Sequence, residues 1–310
     1  MKTNVALVLR RGDPHTPAER VTPGLPSVLD RRATNLTSRS QLVDWLVSDA
    51  NPLTARVWVN FVWQQHFGRG LVETPGDFGL RGTPPANQPL LDWLACELRE
   101  QGWSTRHLHR LIVTSAAYKR AARHETSNAR IDPDNRHLWR WEPRRLESEA
   151  LRDAMLSVAG LLEEKMGGLS RPATNIFANG RSLYLMQQRN VLPAMQRLFD
   201  APTATESCPR RHASTVALQP LHLLNDVGFF RIAEAFAGRV EREAGTDPER
   251  QIERACRLAF NRPPDEQERE WAMKFLAAGG PSDPAPARPS LALLHFCQAL
   301  LNLNEFAYLE

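Results

Sequence analysis

Cysteine is scarce in this chain: Cys96, Cys208, Cys256 and Cys297 are the only four among 310 residues, with no CxxC and no CxxCH. That spacing argues against a zinc site of paired thiolates and against a covalently held c-type haem inside the chain. Cys96, Cys256 and Cys297 sit in apolar helical contexts and read as small buried hydrophobes. Cys208 stands beside Pro209, Arg210, Arg211 and His212, where cations would depress a thiol pKa, although a plain loop cysteine fits as well. Long apolar runs are missing too: none reaches the roughly 18 residues a membrane helix needs, so no span is expected. The opening MKTNVALVLRRGDPHTP has too short an apolar stretch for a secretory signal and no small-residue cleavage site. Read literally, the chain is unexported and cytoplasmic if complete. Val5 to Leu9, followed by the polar turn Arg10 to Pro14, nevertheless resembles an interior strand or extended arm, the pattern of a fragment or split gene product.

Charge of one sign is also lacking. Lys and Arg total 39 against 35 acidic residues, a net charge of +4. With basic residues interleaved among acids and not gathered in a stripe, nucleic acid is not an expected partner. The basic side is almost entirely arginine, which favours planar, bidentate contacts to carboxylates; genome composition would give the same bias. Complete catalytic motifs are absent as well. Ser115 and Ser214 have no GxSxG context, and His107 and His109 do not have HExxH spacing. Asp77-Phe78-Gly79 spells the kinase magnesium triplet without a Gly-rich ATP loop or an HRD motif, and Arg11-Gly12-Asp13 is a tripeptide that arises by chance.

What is present is helical periodicity, from residue 38 onward, in a chain that is 42% hydrophobic and long enough for one large or two modest units. Ser40 is a candidate cap for a helix through Val47, and Asn51-Pro52 for one through Phe67, stopped by Gly68 and Gly70. Further helices are expected over about Pro89 to Gln101, Ser104 to Tyr118 and Pro143 to Met166, with Ala121 to Arg136 an exposed loop. Residues 169–214 read as the least helical part, with a short strand at Ser182 to Met186. Helices then resume over about Thr215 to Glu243, Asp247 to Phe260, Asp265 to Ala278 (stopped by Gly279 and Gly280) and Ser290 to Leu303. Pro281 to Pro289, four prolines in nine residues, reads as a stiff connector. The expected fold is mainly α, about nine or ten helices with long ordered loops and at most a short β element. The expected division is an N-terminal arm (1–37) continuing from a missing upstream domain, a helical subdomain (38–168), a loop-rich connector (169–214) and a C-terminal helical subdomain (215–310).

Two polar constellations stand out. Arg56, Asn60 and Gln64 recur every four residues and share one helix face, with His66 and Arg69 following at the helix end. Such a stripe is either a solvated face or a ligand or interdomain surface; His66 is a candidate base for which the sequence assigns no carboxylate partner. Arg145, Glu149 and Arg152, with Asp153 beside them, fall on one side of the helix expected over 143–166. Exposed, they would form modest ion pairs of about 0.3–0.5 kcal/mol; buried, a polar core or pocket wall.

The order of motifs as a whole resembles a known family. RGDPHTPAERVTPGLPSVL, NPLTARVWVNFVWQQHFGRGLVETPGDFGLRG, LLDWLACEL, GWSTRHLHRLIVTSAAYKR, DPDNRHLWRWEPRRLESEALRDAML, KMGG, CPRRHASTVALQPLHLLND and LNLNEFAYL look like the C-terminal planctomycete-type, or planctomycete-specific, domain of unknown function. The likeness runs from about residue 5 to residue 310. It implies an exported, cell-envelope setting in polysaccharide-degrading bacteria, downstream of a companion domain and often a cytochrome-c-like module, and it carries no established reaction. One departure is Phe61, where the family usually places Arg after the Asn, against anion binding at that helix end. Among the matching positions, Trp93 fits a core and Asn225 and Asn304 fit helix-end caps.

Together these readings lead to a helical module that packs on an upstream companion domain, or on a separate subunit with a cytochrome-c-like module. There it helps shape a carbohydrate site or a haem-linked redox site, with Arg56, Asn60, His66, Arg145, Glu149, Arg152 and Arg210 lining a polar cleft. Any haem c belongs to the partner, with no cofactor and no metal in this chain. The alternatives are a non-catalytic structural scaffold and a carboxylate-based polysaccharide hydrolase, for which Glu149 and Asp77 are the carboxylates to test and His66 a further catalytic candidate.

Overall fold

Side-chain oxygens start most of the helices. The computed structural model describes residues 6–29, 36–172, 178–278 and 289–309, and divides the chain into two compact units, Met1–Glu142 and Pro143–Glu310. The division falls inside the stretch 38–168 that the sequence suggests is one subdomain.

In the first unit, β1 (Ala6–Leu9) pairs antiparallel with β2 (Pro17–Val21), Ala6 opposite Val21, so the N-terminal arm carries a hairpin. Helices α1 (Arg39–Leu46), α2 (Thr54–Phe67), α3 (Gln88–Glu100), α4 (Thr105–Thr114) and α5 (Thr126–Ile131) follow. Ser38, and not Ser40, caps α1, its hydroxyl accepting from the Gln41 amide at 3.3 Å. Asn51 Oδ1 accepts from the Leu53 and Thr54 amides, Asn87 caps α3 and Ser104 caps α4. Helix α4 ends at Thr114, four residues before the expected Tyr118, because the Ser115 hydroxyl donates to the Ile112 carbonyl at 2.7 Å and accepts from the Tyr118 amide. Those side-chain bonds compete with the next backbone turn. Helix α5 lies within the stretch expected to be loop. The core gathers Val59, Trp63, Phe67, Leu91, Leu98, Leu108 and Ile112; Trp93, expected inside, is 52% exposed.

In the second unit, β3 (Arg144–Arg145) pairs antiparallel with β4 (Tyr308–Leu309) and is followed by α6 (Ser148–Val158). This corrects the long helix expected over 143–166. Its first residues are held extended by the C-terminal strand and by the Leu146 amide donating to the Ala307 carbonyl at 2.7 Å, and Gly160 at φ 73° ends it early. The strand expected at 182–186 is a 3-10 turn at Ser182–Tyr184, because the Ser182 amide is committed to Asp153 Oδ1 at 2.7 Å. After α7 (Ala194–Leu198), the single helix expected over 215–243 is two, α8 (Leu218–Asn225) and α9 (Val227–Ala244). Asp226 breaks it, extended at ψ 132° with its carboxylate capping the Gly228 and Phe229 amides. Helices α10 (Pro248–Phe260), α11 (Glu266–Ala278), α12 (Leu291–Leu301) and α13 (Asn304–Ala307) complete the unit, with Asp247 and Ser290 as caps. The expected stop at Gly279 and Gly280 and the connector over 281–288 lie outside the described residues. Among the described residues, then, thirteen helices and two short antiparallel strand pairs make a mainly α protein.

Helix α9 is the spine of the second core, where Ala233, Phe236, Ala237 and Val240 are fully enclosed by Leu151, Met155, Ile252, Leu293 and Cys297. Burial pushes the Cys256 thiol up to about 11 and the Cys297 thiol up as well, as befits inert core residues. At the turn between α10 and α11, Arg262 forks onto Glu268 with two bonds of 2.7 Å and onto Glu305 with bonds of 2.7 and 2.6 Å, tying that turn to α13. Arg262→Lys keeps the charge but loses the planar fork. We expect a cost of about 1 kcal/mol at this partly exposed clip, a fall in Tm of about 2–4 °C. A thermal melt unchanged by the substitution would mean that the clip contributes nothing.

Candidate functional site

In the first unit the polar stripe of α2 serves the fold. Asn60 is wholly buried; its Nδ2 donates to the Val72 carbonyl at 3.1 Å and its Oδ1 accepts from the Val72 amide at 2.8 Å. It thereby pins the loop that leaves the helix. Gly70 is demanded by the same contact, since a Cβ there would lie 2.6 Å from Asn60 Nδ2. Arg56 donates to Asp92 Oδ1 at 2.6 Å and to the Pro52 carbonyl. That bond and a second from Gln88 hold the Asp92 carboxyl below its ordinary range against the opposing effect of burial. His66 Nε2 lies 2.7 Å from His109 Nδ1, and its ring stands edge-on to Tyr118. Asp77 caps its own turn, Oδ1 accepting from the Gly79 amide at 2.8 Å.

In the second unit the expected row Arg145, Glu149, Arg152 does not pair within itself, because Arg145 lies on β3 and outside the helix. Its guanidinium, 6% exposed, donates to Asp200 Oδ2 at 2.8 Å and to the Ser214 carbonyl, and lies 5.0 Å from the centre of the Phe199 ring. Glu149, in the first turn of α6, accepts from both Nη atoms of Arg211 at 2.8 and 3.2 Å and from the Ser148 hydroxyl at 2.8 Å. Burial opposes its ionisation, but the Arg211 fork, its own amide and Ser148 prevail and hold the carboxyl below the ordinary glutamate value. Arg210 is exposed; the arginine that reaches Glu149 is its neighbour. Arg152 donates to the Gly180 carbonyl at 3.2 Å, Ser182 Oγ at 3.0 Å and the Ala178 carbonyl, and burial lowers its pKa despite nearby Asp153.

Glu149 and Arg152 share the wall of a cavity, open to solvent, that is bounded by α6, α7, α8 and α9. Ser182, Gln196, His222 and Asp226 supply the rest of its polar surface, and Leu185, Met195, Phe229 and Ile232 most of its apolar surface. The Gln196 side chain is 4% exposed, and neither its Nε2 nor its Oε1 has a hydrogen-bond partner in the chain. Asp226 spends Oδ1 on capping α9, and the His222 ring stands edge-on to Phe229 at 5.5 Å. A pocket of this kind can accept and donate hydrogen bonds to a small polar group. A general-acid role does not suit Glu149, ionised at neutral pH and forked by Arg211.

Sequence reasoning did not single out Gln196, His222, Asp226 or Ser182. His222 and Asp226 lie in the segment CPRRHASTVALQPLHLLND, so a signal existed for them; Gln196, a lone amide in a five-residue helix, gave none. Among the described residues, no three His, Cys, Asp or Glu side chains gather as a metal site, and no helix is long and apolar enough to cross a membrane. A family model described as PSD1, protein of unknown function (DUF1553), matches residues 38–276. No curated protein and no solved structure matches the chain.

Proposed function

The chain belongs to the PSD1 family of proteins of unknown function (DUF1553), and we propose that it acts there as a carbohydrate-binding module whose site is the cavity of the second unit. The observation that carries the reading is Gln196. An amide buried without partners costs about 1–3 kcal/mol, and a rotation of the Gln196 side chain that brings Oε1 and Nε2 to a hydroxyl-bearing ligand in the cavity would remove that cost. Polar groups convergent in a small, mostly apolar pocket are the usual form of such a site. Titration calorimetry of the full chain against methyl glycosides and short oligosaccharides is expected to give saturable binding. Gln196→Leu should weaken it tenfold or more, about 1.4 kcal/mol, without changing the circular dichroism spectrum. A panel that gives no binding at all would remove the reading.

A second reading, compatible with the first, gives the first unit a protein partner. Helix α1 buries none of its residues; Val43 and Val47 remain 55% and 49% exposed, and Trp58 and Phe61 on α2 remain 42% and 43% exposed. Trp45, Leu46 and Val47 line an apolar groove together with Val57, Trp58 and Trp103. Exposed apolar surface of that extent marks an interaction face, which supports docking on a companion domain or subunit in an envelope assembly. Co-purification with the upstream gene product tests this. A complex with a haem Soret band would support a redox setting, whereas a colourless complex would support the companion alone.

A further inference from the structure

We infer that the cavity of the second unit takes a sugar bearing a free amine, held as the ammonium ion by Asp226; the inference rests on the carbohydrate reading above. Four ionisable side chains line the cavity: Glu149, Arg152, His222 and Asp226. Two of the charges are answered within the chain. Glu149 is forked by Arg211 at 2.8 and 3.2 Å. Arg152 lies 3.7 Å from Asp153 and turns its Nη atoms onto the Ala178 and Gly180 carbonyls. Asp226 receives only the Gly228 and Phe229 amides, both at Oδ1, and pairs with no cation among the described residues.

The second oxygen of Asp226 is available. Oδ2 has no hydrogen-bond partner in the chain and is not one of the partnerless side-chain atoms sealed from solvent, so it stays open at the cavity. Both ring nitrogens of His222 are in the same condition. His222 lies four residues earlier, its carbonyl accepting from the Asp226 amide at 3.0 Å, so the two side chains leave successive turns at the end of α8. Capping α9 explains Oδ1 but not the charge, because Asn caps a helix as well as Asp does.

The hydrogen-bonding inventory and the charge point to the same ligand. A carboxylate oxygen only accepts, and a neutral imidazole has one accepting nitrogen. An ammonium group has three donors and can serve both, whereas a hydroxyl has one donor. Its bond to the carboxylate is also charge-assisted, roughly twice as strong as a neutral one. A half-buried carboxylate without a cation gains more from such a partner than one in open water. A phosphate or an acidic sugar would meet the like charges of Asp226 and Glu149.

Titration calorimetry of the full chain at pH 7 tests this with methyl 2-amino-2-deoxy-β-glucopyranoside, its N-acetyl form, methyl β-glucopyranoside and cyclohexylamine. The amino sugar is expected to bind at least tenfold more tightly than the glucoside. N-acetylation keeps the ring and removes the charge, and it should cancel that advantage. Asp226→Asn keeps the cap and the shape, and it should cancel the advantage too while the glucoside binds as before. A preference that survives Asp226→Asn overturns the inference. If the glycosides bind with no preference for the amine, the amine inference fails and the carbohydrate reading stands. If cyclohexylamine binds through Asp226 and no sugar does, the ammonium site stands and the carbohydrate reading falls; if nothing binds, both fall. Salt gives a readout that needs no variant: raising sodium chloride tenfold should weaken the amino sugar severalfold and leave the glucoside unchanged, and equal salt dependence of the two overturns the inference.

Discussion

Asn60→Leu is expected to weaken the first unit by about 3–5 kcal/mol, a large part of the stability of a domain this size. Leucine matches the volume and removes both bonds, leaving the Val72 amide and carbonyl without partners inside a fully enclosed site. Asn60→Asp should be no better, because it sets an oxygen against the Val72 carbonyl and buries a charge. Gly70→Ala attacks the same contact from the other side: its Cβ would lie 2.6 Å from Nδ2 and 2.7 Å from Oδ1 of Asn60. The two sites should therefore couple. In an Asn60→Ala background, Gly70→Ala is expected to cost at least 1 kcal/mol less than it does alone, although the approach of the new Cβ to the Val72 carbonyl persists. Urea unfolding followed by amide signals of the first unit measures these quantities without assuming that both units unfold together. An Asn60→Leu protein as stable as the parent would mean that another group satisfies Val72, and the role given to Asn60 would be lost.

An amide in the middle of an aromatic helix was visibly out of place, and so was the glycine that follows it. That the two form one clamp depends on a contact with Val72 across twelve residues, which no helical period encodes. The same limit governs the fold. Ser104, Asp247, Ser290 and Gly68 mark helix ends through local chemistry, and the structure places ends there. Pro143 to Glu147 has helical periodicity but is extended, because its partner strand lies more than 160 residues away. At Asp226 the local signal was present, an Asn-Asp pair between apolar runs, but it was outweighed by the continuity of those runs. For the cavity, the charged character of α6 was legible. Arg211 as the partner of Glu149 was not, and Gln196 belongs to a helix too short to have a period.

Arg145→Ala is expected to destabilise the second unit by about 3 kcal/mol at pH 7, because it leaves the Asp200 carboxylate without its cation. Asp200 has a positive φ of 61°, and besides Arg145 it accepts from the Ser214 amide at 2.8 Å and the Ser214 hydroxyl at 2.7 Å. Burial opposes its ionisation, yet the Ser214 amide, Arg145 and the Ser214 hydroxyl together hold its carboxyl below the ordinary aspartate value. A depressed carboxyl pKa contributes stability that is fully present above the unfolded value, about 3.9, and is lost as pH falls through the folded value. In the variant the carboxylate keeps its Ser214 bonds but has lost its cation, a penalty that protonation relieves. The gap between parent and variant should therefore shrink on acidification, to about 1 kcal/mol near pH 3. Urea midpoints at the two pH values decide this; a gap that does not change with pH would mean that Arg145 acts by packing on Phe199 and not through the carboxylate. The consequence reaches the proposed site, because α7 ends one residue before Phe199 and the Ala201 amide donates to the Gln196 carbonyl at 2.8 Å. Loosening the Arg145 clasp should let the Gln196 amide drift and weaken ligand binding, although Arg145 does not line the cavity. Binding by a folded Arg145→Ala protein as tight as the parent's would show that Gln196 is positioned by α7 alone.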